Sequence, residues 1–273
     1  MFYKVIACEI AFREICACAA RSENQFDLEF LSQGYHDNPE IGLGRIQERI
    51  DAVDPEMFDG ILLGYGLCNN MLLGLKGGRA PVVIPRAHDC ITFILGSKER
   101  YNEIFRENPG TYYYTAGWLE YRQRGGERVE RRQGAELGGG ADYEELVEKY
   151  GEDNARYVME TLGGWTQNYS RGLFIDFDFT ANLPLKARAK QLCEERGWAY
   201  EEIQGDLTLL QNWLDGRWPD DDFLVVEPGQ SVAPSYNDHV IQIQPPEVGD
   251  GPAGSGSQSA VPRVFEERVG GDT

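Results

Sequence analysis

Short apolar runs separated by amphipathic stretches set the terms for this chain. Residues 3–9, Phe26–Leu31, residues 60–65 and residues 81–85 each read as a strand, and helical spacing fills the gaps between the first three. A strand that is followed by a helix before the next strand returns parallel to its predecessor, with the helix lying on the sheet. The pattern predicts an α/β fold of mostly parallel sheets flanked by helices. The first helices are expected at Phe12–Ser22, at Leu43–Val53, where Leu43, Ile46, Ile50 and Val53 share a face, and from a Ser97 cap through Arg106.

The rhythm recurs after the aromatic run Thr111–Thr115. Leu173-Phe174-Ile175, Tyr200–Ile203 and Phe223–Val226 read as strands, and Tyr143–Leu162, Leu185–Arg196 and Leu207–Leu214 as helices. Two similar Rossmann-like halves are expected, 1–110 and 111–244. The second carries an exposed insertion at 120–140 with Arg122, Arg124, Arg128, Arg131 and Arg132. From 245 to 273 the chain turns to Gly, Pro, Ser and Gln, with too few apolar side chains to offset the entropy of ordering, so a disordered tail is expected.

In the first half the chemistry-bearing residues stand at or just after predicted C-terminal strand ends: Cys8, His36, Cys68, His88 and Cys90. Ligands of open α/β sheets collect in the crevice outside those ends, so residues far apart in sequence converge there. Thiolate with imidazole suits zinc, and the cysteines alone suit a 4Fe-4S cluster with three protein ligands. The spacing does not decide, since no Cys-x-x-Cys pair is present. Buried apolar cysteines and ordinary loop histidines explain the same letters. Cys16, Cys18 and Cys193 read as helix packing.

Around this set, Gly64 and Gly66 let the backbone approach a bound metal or ligand. They are not a nicotinamide fingerprint, because the third glycine and the following acidic residue are missing. Ser97 and Lys98, at a helix start, form a candidate anion or cofactor contact, although Ser97 is equally a plain cap. Arg86 would turn a fixed positive charge toward a substrate carboxylate or phosphate. Asp89 would orient His88 or act as a general base, so Arg86 and Asp89 are the candidate catalytic pair.

Charge narrows the partners. With 45 acidic against 26 basic residues the formal net charge is -19, which repels a nucleic-acid backbone and an anionic membrane surface. No apolar run is long enough to span a bilayer, and no leader pattern opens the chain. Six cysteines without the density of a secreted scaffold point to a reducing compartment, and a cytoplasmic location is expected.

The letters GYGLCNNMLLGL from Gly64 and PRAHDCITFILGSKERY from Pro85 resemble the DUF1638 family, an uncharacterised prokaryotic family known as a domain of unknown function. The resemblance covers about residues 3–227. It implies a cysteine ending the first strand, here Cys8, and a histidine ahead of an Asn-Pro pair, here His36 before Asn38-Pro39. It also implies a setting beside corrinoid-dependent methyl transfer in one-carbon metabolism, with corrinoid or methyltransferase proteins as partners, but no reaction. The expectation is a metal-binding protein or a metal-dependent transferase or lyase that acts on a small molecule. An iron–sulfur protein and a noncatalytic partner of a methyltransferase system are the alternatives.

Overall fold

The structure, a computed structural model, describes residues 1–120 and 168–245. The arginine-rich insertion from residue 121, the helix expected over Tyr143–Leu162 and the tail from 246 lie outside the described residues.

Four parallel strands make the main sheet: β1 (Phe2–Cys8), β2 (Gln25–Leu31), β3 (Gly60–Gly64) and β4 (Val82–Pro85), in the order β2-β1-β3-β4. Every residue of β3 and β4 is buried, as a parallel sheet covered on both faces requires. Helix α1 (Phe12–Ala19) links β1 to β2, and α2 (Pro39–Asp51) links β2 to β3. The chain thus leaves β1 toward one edge and comes back across it to β3. That reversal makes the C-terminal ends of β1 and β3 the topological switch point of the sheet.

After β4, α3 (Cys90–Leu95) and α4 (Lys98–Glu107) lead to a second sheet of three parallel strands, β5 (Thr111–Tyr114), β6 (Arg171–Asp176) and β7 (Ala199–Gln204), in that order. Helices α5 (Ala116–Glu120) and α6 (Leu185–Arg196) accompany it, and a small core of Tyr114, Phe174, Leu185, Ala189, Cys193 and Trp198 forms beside it. Helix α7 (Thr208–Leu214) then returns the chain to the first sheet. Its fully buried Trp213 donates Nε1–H to the carbonyl of Val83 on β4 at 3.2 Å.

The α/β class and the helix-flanked parallel strands are as expected from the sequence, but the place of the last core strand is not. Phe223–Val226, assigned by reading order to the second half, is β8 of the first sheet, antiparallel to β4 from Val82 opposite Val226 to Pro85 opposite Phe223. An apolar run states that a strand is buried and leaves its partner and direction open. The sheets also differ in size, five mixed strands against three parallel ones. A short antiparallel pair, β9 (Val232–Pro234) and β10 (Ile241–Ile243), follows β8. Among the described residues no helix is long and apolar enough to cross a membrane.

Candidate functional site

The exits of β1 and β2 are tied together just past their last paired residues, Cys8 and Leu31. The chain leaves β2 through a single 3-10 turn, Gln33–Asp37, capped by Ser32, whose hydroxyl accepts from the Gly34 N–H. The Gln33 N–H donates to Glu9 Oε1 at 2.8 Å, stapling this turn to the exit of β1. The staple brings His36 Nε2 to 3.4 Å from Cys8 Sγ.

The exit of β3 is packed against the exit of β4 in the same crevice. Leu67 N–H donates to Ala87 O and Cys68 N–H to His88 O, both at 2.8 Å. Glycine is needed at two points. A side chain on Gly66 would meet the Asp89 backbone at 2.8 Å, and one on Gly64 would meet Ala7 Cβ at 2.6 Å. Gly66 therefore lets backbone approach backbone, and Gly64 makes room for the side chains of Ala7 and Trp213. Cys68, Asn69 and Asn70 follow with φ of 44°, 60° and 65°, three consecutive non-glycine residues in the left-handed region. Asn tolerates that conformation and Cys does not favour it, so Cys68 is held in a strained turn at the mouth of the switch point.

Cys8, Cys68 and Cys90 are 1, 4 and 5% exposed, and Tyr65 is 1% exposed. Burial pushes the Cys68 and Cys90 thiols and the Tyr65 hydroxyl well up from their usual values, and the groups reinforce one another. Cys8 raises all three, Cys68 raises Tyr65 and Cys90, and Asp89 raises both thiols. The N–H groups of Gly66 and Cys90 face the Cys68 sulfur and pull in the opposite direction, without overcoming burial. At neutral pH Cys68, Cys90 and Tyr65 keep their protons, and a cation that binds the two thiols would displace theirs.

The other candidates fall elsewhere. Arg86 is 5% exposed and turned away toward β8. Its Nε donates to the carbonyls of Asp220 and Phe223 at 2.6 and 3.1 Å, its Nη1 to those of His239 and Ile241, and its Nη2 to Asp220 Oδ1 at 3.0 Å. Asp89 caps α3, accepting from Ile91 and Thr92 N–H. His88 is exposed and lines a surface cavity of about 340 Å³ with α4 and the Asn237–Val240 loop. Ser97 caps α4, accepting from Arg100 N–H, and Lys98 Nζ donates to the carbonyls of Asp221 and Asp238. Cys18 and Cys193 are fully buried, the Cys18 thiol pushed up to about 12 by burial. None of the six cysteines is in a disulfide.

The residues fit a soft metal in part. A tetrahedral zinc with a sulfur and a nitrogen ligand holds those atoms about 3.6 Å apart, close to the 3.4 Å between Cys8 Sγ and His36 Nε2. Among the described residues no three His, Cys, Asp or Glu side chains already stand as a cage. Reading the residues one by one missed Tyr65 and Glu9. Glu9 directly follows a candidate ligand at a strand end, which was a usable signal, whereas a tyrosine between two glycines carries none.

A family model described as "Protein of unknown function (DUF1638)" matches residues 30–214, from the last residues of β2 to the end of α7. The matched span holds His36, Tyr65, Cys68 and Cys90. No curated protein and no solved structure matches the chain.

Proposed function

We propose, from the premise that the chain belongs to the DUF1638 family, that it is a metal-binding protein that acts on a small molecule at the β1/β3 switch point. Zinc is the proposed metal. Cys8 and His36 would hold it first, with Cys68 and Cys90 closing around it. The observation that carries the reading is the 3.4 Å approach of Cys8 Sγ to His36 Nε2, in the crevice that also buries Cys68 and Cys90. Bound there, the metal would supply Lewis acidity toward a small substrate or an activated thiolate. The protein's own part is to hold the Cys68 and Cys90 thiols dry and protonated until the cation arrives, and to fix His36 through the Gln33–Glu9 staple. Six cysteines without a disulfide among them support a reducing, cytoplasmic setting. The methyl-transfer context implied by the family resemblance supplies the first substrates and partners to try.

Elemental analysis of protein purified with and without air tests this reading. About one zinc per chain is expected, lost in Cys8→Ala and His36→Ala. Iron with labile sulfide would replace the zinc site by a three-cysteine cluster. A metal-free protein in which iodoacetamide alkylates Cys8 selectively at neutral pH would overturn the metal reading in favour of a Cys8–His36 nucleophile.

A further inference from the structure

Tyr65 is the one member of the crevice whose chemistry the metal reading does not use. It is 1% exposed, and among the described residues its hydroxyl has no hydrogen-bond partner. Such a group costs free energy unless something completes it. Its place in the crevice is set by the His36 ring, which lies 6.4 Å from its own at a 28° tilt and whose Nε2 meets Cys8 Sγ. The flanking glycines hold it there, since neither Gly64 nor Gly66 has room for a side chain against Ala7 or Asp89. The turn that carries His36 adds a second such group: Gln33 is 1% exposed and its side-chain carbonyl oxygen is also unpartnered among the described residues.

We propose that Tyr65 is the recognition group of this site, donating its hydroxyl proton to an acceptor oxygen of a small carboxylate or amide ligand seated against Cys8 and His36. The proposal rests on reading the crevice as a ligand site, and it names the ligand class. A phenol carries its proton at neutral pH, so it acts as a neutral donor. Gln33 Oε1 would take an N–H or O–H of the same ligand.

Wild type and Tyr65→Phe, both as the full chain, test this with acetate and acetamide as probes. The variant removes only the hydroxyl, so without ligand it should melt no lower than wild type. A lower melting temperature would mean that the hydroxyl already has its partner, and would overturn the proposal. Loaded with Co2+, both proteins should take up the same amount of metal, while acetate, followed by the visible spectrum of the cobalt, should bind the variant about tenfold more weakly, the effect of one hydrogen bond. Equal acetate affinity overturns the proposal and leaves the metal reading standing. If neither protein takes up cobalt, the metal reading falls and the metal-free comparison decides. Acetate or acetamide should then raise the melting temperature of wild type and not of the variant, and an equal response, or none, overturns the role of Tyr65.

Discussion

Cys8 and His36 were legible as candidates because a strand exit is a position that sequence pattern can locate: Cys8 ends β1, and His36 lies in the turn that follows β2. His88 sits at such an exit too, but the residue after a strand end can turn to either side, and its side chain goes to the surface. No pattern encodes that rotation. The burial of the thiols leads to a prediction about pH. Because Cys68 and Cys90 titrate well above the usual thiol value, both are protonated at neutral pH, and a metal ion must displace those protons to bind. Zinc affinity, measured by chelator competition, should therefore rise by about tenfold per pH unit for each thiol displaced. The rise should continue past about pH 8.5, where an ordinary thiol would level off. A pH-independent affinity would mean that the protons were already gone.

The spans of some elements were legible, since α6 begins and ends at the expected Leu185 and Arg196 and β8 at the expected Phe223 and Val226, whereas α2 begins at Pro39 ahead of the expected Leu43, and α3, α5, β9 and β10 were not expected. The tasks of single residues between elements were not legible, and Arg86 and Asp89 illustrate why. Both precede an apolar helix in a crevice-facing loop, so a catalytic reading and a structural one use the same letters. Arg86 joins the end of β4 to β8 and β10 through buried carbonyls, and Arg86→Met should cost about 3 kcal/mol in urea unfolding, because those carbonyls lose their donors. Arg86→Lys should recover little of this, since an ammonium cannot fork to four carbonyls and a carboxylate. Asp89 caps α3, and burial holds its carboxyl above the usual range. The folded chain then binds this proton more tightly than the unfolded chain, so the contribution of Asp89 to stability falls as pH rises through its titration. Asn caps as well as Asp and carries no charge. Asp89→Asn should match wild type near pH 4 and become the more stable protein by about pH 7, as read from paired denaturation curves at the two pH values.

Strand order is a property of the whole molecule, and it was not legible because no local signal records that β8 comes back to β4 from beyond the second sheet. The return has an energetic consequence. Without the chain after residue 110, β4 loses β8 and becomes an edge strand whose four residues are buried in the intact protein. The same cut removes Trp213 from over β4 and takes away the carbonyl partners of Arg86, which would leave a guanidinium facing apolar strand ends. An apolar edge of this kind pairs with other chains. Residues 1–110 expressed alone should therefore lack a cooperative unfolding transition and aggregate, whereas a chain that runs through β10 should unfold in one step. The comparison is made by near-ultraviolet circular dichroism and amide chemical-shift dispersion. A dispersed spectrum and a cooperative melt from residues 1–110 would show that the β1/β3 crevice is built by the first four strands alone. If the fragment fails, the Cys8–His36 crevice depends for its rigidity on a strand more than 200 residues away in sequence, and substitutions in β8 should loosen metal binding without touching any ligand.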